Sequence, residues 1–225
     1  MKTIDMVLST RNRFGKLLRM IKSIPPLHYL NIHVVFDDDR RGFESFSRLP
    51  KDHYQGGTMT GYFIKIHSGS VYCRNYIFPL CEDGVLIACD DIVFHPGAIE
   101  SAFRNFNSRF KDGFGVVGFN QFNAVPPSNF CWTGVCLVGQ EYLDSHPKKQ
   151  LLNPEYFHFA TREIEWKADK LGVLYRDPDA KIFHYHPGWM REEMDRTHME
   201  ARVFNRADRR IKQFRAQNGE IWGIS

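Results

Sequence analysis

The stretch Gly84–His95, GVLIACDDIVFH, decides how the rest of the chain is read. Six small or apolar residues, Gly84 to Cys89, run straight into two carboxylates, Asp90 and Asp91. A short apolar run containing Val and Ile fits a strand buried on both faces of a sheet. Acids at the end of such a strand lie at the carboxyl edge, where open α/β sheets bind their ligands. Paired acids there suit a divalent cation, because Mg2+ or Mn2+ takes one or two carboxylates and fills its shell with phosphate oxygens and water. Alone, Asp90 and Asp91 are equally compatible with a helix cap or a solvated turn, so the flanking segments must decide.

Working outward, Ile4–Ser9 reads as a first strand that breaks at Thr10-Arg11-Asn12-Arg13. Phe14, Leu17, Leu18 and Ile21 then recur at helical spacing until Pro25-Pro26. Asn31–Phe36 is a second strand ending in Asp37-Asp38-Asp39. Strand, helix and strand in so short a span form a βα unit, the building block of parallel sheets. Lys51 to Gly61 reads as a loop and Tyr62–Ile66 as a short strand, followed by a helical stretch from Gly69 that carries Arg74 and Asn75 and closes at Gly84. Beyond the central stretch, Ala98–Phe110 predicts an amphipathic helix, Gly115–Phe119 and Cys131–Gly139 predict strands, and Asn120–Asn129 a polar loop. A helix from about Arg162 to Leu171, with Thr161 as N-cap and Gly172 as the stop, precedes short strands at Val173–Tyr175 and Ala180–Tyr185. Past Trp189 the pattern is helical and charged to about Gln217.

Composition bounds the class. The chain has 225 residues, 43% hydrophobic and 14% aromatic, enough for one large core and against disorder. No apolar run approaches the roughly 18 residues of a membrane span, and no signal peptide opens the chain. The five cysteines, odd in number and without CxxC pairs, predict reduced thiols and a cytoplasmic protein. The net charge of +4 is unevenly placed: Arg206, Arg209, Arg210, Lys212 and Arg215 against Asp208 give +4 within 206–215 alone. Such a helix either binds phosphate-bearing partners or is a solvated face.

These segments, in this order, resemble the GT-A-fold glycosyltransferases of the large family 2 type, which use nucleotide-diphosphate sugars. The likeness runs from Ile4 to His186. It implies an α/β fold with a mixed, mostly parallel, Rossmann-like central sheet flanked by helices. Residues 1–189 would form the catalytic domain and 190–225 a basic helical extension packed on it. IDMVLSTRNRFGKLLRMIKSI resembles the family's first strand, nucleotide loop and helix, which implies that Thr10, Arg11 and Arg13 lie near the nucleotide. VVFDDD resembles its second strand, whose terminal acid contacts the base, here Asp37 or Asp38. GSVYCRNYIFPLCEDGVLIACDDIVFHP matches the family's Gly, Arg-Asn pair (Arg74, Asn75) and strand into an acidic DxD-type motif. Cys89 stands where the first acid of that motif falls, so the resemblance implies Asp91 as metal ligand and Asp90 as a sugar or ribose contact. TREIEWKADKLGVLYRDPDAKIFHYH resembles the family's acidic helix start, strand and metal-binding histidine. Glu163 falls on the catalytic-base position, Glu165 on the second acid and His184 on the histidine; His186, two residues on, points the same way along the strand, so either histidine could be the ligand.

The chemistry implied is metal-dependent transfer of a sugar, from a UDP-sugar as the first expectation, to an acceptor hydroxyl. Mn2+ or Mg2+ would stabilise the leaving diphosphate, and Glu163 as general base would imply inversion. The basic C-terminal helix resembles that of small phage and viral transferases, some of which glycosylate hydroxymethylated bases in DNA. That would put Arg206, Arg209, Arg210, Lys212 and Arg215 on phosphates. A surface glycan, a protein or a small molecule are the alternative acceptors. A nucleotidyltransferase would use the same metal–diphosphate chemistry, but the loop STRNRFG lacks the glycine-rich pattern expected directly after its first strand. A non-catalytic binding module would have no use for Glu163 and His184 at these spacings.

Overall fold

In the computed structural model, residues 1–50, 54–124, 131–158, 160–187 and 193–224 are described. The elements are β1 (Ile4–Thr10), α1 (Phe14–Lys22), β2 (Leu30–Asp37), α2 (Arg40–Ser47), β3 (Met59–Ile64), α3 (Gly69–Ile77), β4 (Gly84–Ile87) and β5 (Ile92–Phe94). After them come α4 (Ala98–Arg109), β6 (Val116–Gln121), β7 (Cys136–Gly139), α5 (Gln140–Asp144), α6 (Thr161–Lys170), β8 (Leu174–His184) and α7 (Arg196–Gln217).

One eight-stranded sheet, in the order β3-β2-β1-β4-β7-β6-β8-β5, runs through the molecule. The pairs β1–β2, β2–β3, β1–β4 and β6–β8 are parallel, whereas β4–β7, β6–β7 and β5–β8 are antiparallel. All four residues of β4 are buried. Its alternation splits them between two cores: Leu86 joins Met6, Leu8 and Leu137 on one face, and Val85 and Ile87 join Val7, Cys136 and Val138 on the other. A strand sealed on both sides explains why GVLI is apolar throughout instead of alternating. The chain builds β2 and β3 on one side of β1 and then returns to place β4 on the other side. At such a switch point the connections leave in opposite directions and open a crevice at the carboxyl edge. Thr10, Asp37, Asp90 and Asp91 all fall at that edge, at or just beyond the ends of β1, β2 and β4.

Several expected elements differ in extent, each for a local reason. Residues 131–139 hold a 3-10 turn at Trp132–Gly134 and only then β7, because Trp132 lies against Gly118 of β6 and turns the chain out of the ladder. The two short strands expected around 173–185 are one strand, β8, whose pairing with β6 steps from Asp177 to Lys181 across a bulge containing Pro178. Pro178 lacks the N–H a regular ladder needs, so the irregularity falls there. α2 is not foreshadowed by its polar composition. Its N-cap is Asp39, whose carboxylate accepts from the Gly42 N–H at 2.8 Å. Ala160, not Thr161, occupies the N-cap of α6, while Gly172 does end it with φ +68°. The expected boundary at 189–190, Trp189, and the second half of the 120–129 loop lie outside the described residues. All five cysteines are free. Among the described residues, no helix is long and apolar enough to cross a membrane.

Candidate active site

A cavity of about 500 Å³ opens at the carboxyl edge. Its floor is Ser9 and Thr10 of β1, Asp37 of β2, and Cys89, Asp90 and Asp91 after β4. α7 supplies one wall, through residues spaced along it from Thr197 to Lys212.

The corner around Asp91 is made by strand pairing. After Asp91 the chain enters β5, which pairs antiparallel with β8 so that Ile92 faces His184, and the Tyr185 N–H donates to the Asp91 carbonyl at 2.8 Å. That register sets His184 Nε2 3.2 Å from Asp91 Oδ1, while His184 Nδ1 lies 3.2 Å from Gln121 Oε1. His198 of α7 brings Nε2 to 3.7 Å from Asp91 Oδ2. Burial alone would raise the Asp91 carboxyl, but His184, His198 and Arg13 outweigh it and hold the group well below the usual carboxylate range. Asp90 accepts from the Thr10 hydroxyl at 2.7 Å and lies 3.4 Å from Arg13 Nη1. Burial pushes the Asp90 carboxyl up to about 6, with Arg13 opposing. His186 lines the same cavity, and burial followed by the neighbouring His184 pulls its pKa down to about 4.

A divalent cation fits this corner. Asp91 and His184 offer a carboxylate oxygen and an imidazole nitrogen, donors of the right type, and His198 is buried with both ring nitrogens lacking an aligned hydrogen bond. Among the described residues no three His, Cys, Asp or Glu form a ready-made metal cage. Two protein ligands, with the remaining sites left to phosphate and water, is the Mg2+ or Mn2+ pattern.

The other expected contacts divide. Thr10, Arg11, Arg13, Asp37, Arg74 and Asp90 line the cavity. Arg11 pairs with Glu200 of α7 and with Asp38, and the Thr197 hydroxyl donates to the Arg11 carbonyl at 2.8 Å. Arg13 and Lys16 both pair with Asp195, the N-cap of α7, at 2.9 and 2.7 Å. Arg74 donates to the Ala88 carbonyl at 3.0 Å and reaches Cys89 Sγ at 3.5 Å, so it braces the strand end from below the acids. Asp37 accepts from the Ser68 and Gly69 N–H groups and sits 2.7 Å from His67 Nδ1. His67 in turn meets Phe157 and Phe204 edge-on, and those two rings stack with centroids 3.8 Å apart.

Three expected residues are placed elsewhere. Asn75 bonds the Leu152 carbonyl and N–H, which fixes a loop, and it does not line the cavity. Asp38 has φ +52° and turns outward to Arg11. Glu163 does not line the cavity either, because its carboxylate is enclosed by donors. Arg215 Nε and Nη2 donate at 2.8 and 3.2 Å, the Tyr156 hydroxyl at 2.6 Å and the Trp222 N–H at 2.7 Å. Glu165 likewise pairs with Arg162 and Arg176. Arg215 is consequently a buried partner of Glu163, Glu155 and Glu220, and is not available to a nucleic acid phosphate.

Sequence reasoning missed His198, Asp208, Glu200 and the Phe157–Phe204 stack. One signal was legible: Asp208 is the lone acid in a basic decapeptide. It is buried and accepts from the Phe157 and His158 N–H groups at 3.0 and 2.8 Å, docking α7 onto the loop before α6. His198 carries no such signal, since only the docking of α7 brings it to Asp91.

No protein-family model and no curated protein matches the chain. Solved structures do match. The mannosyltransferase PcManGT from Pyrobaculum calidifontis, solved in complex with GDP-Man and Mn2+, superposes with a TM-score of 0.65 at 14% identity, covering 81% of this chain and 56% of that one. TarS 1-349 of S. aureus gives 0.52 at 14% identity over 66% of this chain and 53% of that one. A second TarS structure gives 0.60 at 12% identity over 77% and 35%. The fold is therefore that of the GT-A glycosyltransferases, and the chain spans about half the length of the first two structures.

Proposed function

We propose that the chain is a metal-dependent glycosyltransferase that moves a sugar from a nucleoside-diphosphate donor to an acceptor hydroxyl. The observation that carries this reading is Asp91 with His184 delivered beside it by the β5–β8 pairing, at the switch point of a GT-A sheet. Asp91 and His184 would hold Mn2+ or Mg2+, which supplies Lewis-acid stabilisation of the leaving diphosphate. Arg11 and Arg13 add positive charge at the same edge, where negative charge develops on the leaving group. Asp90, held by Thr10, would accept a hydroxyl of the ribose or the transferred sugar. Asp37 fixes the 67–69 turn, and we assign the His67–Phe157–Phe204 corner to the base, since stacked rings suit a flat heterocycle.

With Glu163 enclosed by Arg215, Tyr156 and Trp222, the expectation of a base at that residue, and of inversion with it, has no support in this geometry. The other carboxylates lining the cavity, Asp37, Glu200 and Asp208, are each already bound to N–H donors. Nor does the basic helix present one continuous face for DNA: Arg209 and Lys212 line the cavity, Arg215 is buried, and Arg206 and Arg210 are exposed without lining it.

The test is nucleotide release from UDP-, GDP- and TDP-sugars with Mn2+, with and without EDTA, and with and without hydroxymethylated DNA. Chelator-sensitive release that Asp91→Asn abolishes supports the reading. Binding of none of these donors by the folded protein refutes it.

A further inference from the structure

The cavity is charged at both ends. Arg11 and Arg13 flank the acids at one end, whereas Arg162, from the first turn of α6, and Arg209 and Lys212 of α7 line the other. α7 is one continuous helix, so its rise of about 1.5 Å per residue places Arg209 about 16 Å and Lys212 about 21 Å along the axis from His198. The second cluster is thus remote from the corner that would hold a metal and a diphosphate. Arg162 shares its charge with Glu165 at 2.9 Å. Among the described residues neither Arg209 nor Lys212 has a carboxylate partner, and the Lys212 ammonium lies 5.9 Å from the centre of the Trp166 ring. Burial first, and then the neighbouring Arg162, draw the Lys212 ammonium below its usual pKa, with Cys131 opposing and Arg209 adding to the fall.

Arg209 and Lys212, beside the already paired Arg162, carry charge that an entering anion would neutralise. Resting on the transferase reading above, we propose that Arg162, Arg209 and Lys212 form an anion subsite that receives a phosphate group carried by the acceptor. A single phosphate suits the arrangement better than a nucleic acid strand. The three cations line the same part of one cavity, while an extended backbone needs a track of cations along a groove. The acceptor class is therefore a phosphorylated hydroxyl compound, with the hydroxyl directed toward the donor end and the phosphate at Arg209 and Lys212.

The experiment fills the donor corner with saturating UDP or GDP and Mg2+, then titrates glucose 6-phosphate, glucose, inorganic phosphate and a short oligothymidylate. Calorimetry reports affinity, and Trp166 fluorescence reports events under Lys212. Glucose 6-phosphate and inorganic phosphate are expected to bind, with glucose at least about tenfold weaker, since each charge-assisted hydrogen bond contributes about a factor of ten or more. Arg209→Gln/Lys212→Gln removes that preference and leaves nucleotide affinity within about twofold, while Arg209→Lys/Lys212→Arg retains it. Equal binding of glucose and glucose 6-phosphate by the wild type overturns the proposal. An equal loss of nucleotide affinity in the double Gln variant overturns it too, because the cations would then serve the donor diphosphate. Oligothymidylate binding whose salt dependence counts several phosphates replaces the single-phosphate subsite with a nucleic acid track. If neither UDP nor GDP binds but phosphate binding persists and depends on Arg209 and Lys212, the donor reading fails and the subsite stands.

Discussion

Arg215→Met separates a structural from a catalytic reading of Glu163. In the native chain the Glu163 carboxylate, on a side chain 3% exposed, receives two of its four bonds from Arg215. Removing the guanidinium leaves a buried negative charge with only the Tyr156 hydroxyl and the Trp222 N–H. Breaking a buried pair from one side costs about 3–5 kcal/mol, and in a domain of this size each kcal/mol lowers Tm by about 2–4 °C. The expected loss in Tm is therefore roughly 6–20 °C. Glu163→Leu/Arg215→Met, which removes both charges, should recover most of it, because an apolar pair of similar volume replaces a buried ion pair at little cost. The assay is urea unfolding followed by circular dichroism, with all three single and double variants compared in one cycle. A loss below about 1 kcal/mol in Arg215→Met would refute the reasoning. So would a Glu163→Gln variant of native stability whose turnover is abolished, since the carboxylate would then be acting on substrate.

Three further outcomes follow from the geometry. Asp91→Asn or His184→Ala should weaken Mn2+ binding by at least about tenfold, read by calorimetry without substrate, whereas Asn75→Ala should leave it unchanged; equal effects would misplace the metal. Lys167 is buried without a carboxylate partner among the described residues, is bonded to the Ser145 hydroxyl at 2.7 Å, and burial draws its pKa from 10.5 down to about 8. The unfolded state then holds more protons between pH 8 and 10.5, so wild-type stability rises through that window relative to Lys167→Met. The variant should be more stable at pH 7 by up to about 3 kcal/mol, less the bond to Ser145, and the gap should close by pH 10.5. Earlier unfolding of Lys167→Met at pH 7 would contradict this. Gly69 has φ +84°, and a Cβ there would stand 2.3 Å from the Phe157 carbonyl oxygen. Gly69→Ala should therefore cost about 1–3 kcal/mol and displace Phe157, with weaker nucleotide binding by calorimetry; native values for both would show that the loop yields freely.

What the sequence determined by itself is the sheet edge and its chemistry. The unbroken apolar run of β4 could be satisfied only by burial on both faces, and the acids that follow it had to emerge at an edge. The spacing of Phe14, Leu17, Leu18 and Ile21 fixed α1, and the order of strand, loop and acid marked the edge at which the cavity opens. Boundaries set by partners were not legible: Trp132 closes on Gly118, and the β8 bulge falls at Pro178, because of neighbours distant in sequence.

Tertiary structure alone decided which charged residues are free to act. Glu163 and Glu165 look alike in sequence, as do Arg209, Lys212 and Arg215 on one basic helix. The docking of α7 buries Arg215 against Glu163, turns Arg209 and Lys212 into the cavity, and brings His198 to Asp91. A carboxylate's reactivity depends on the donors around it, and apart from Tyr156 those of Glu163 are Arg215 and Trp222, from the far end of the chain. Local sequence carries the type of each side chain, and only packing assigns its partner.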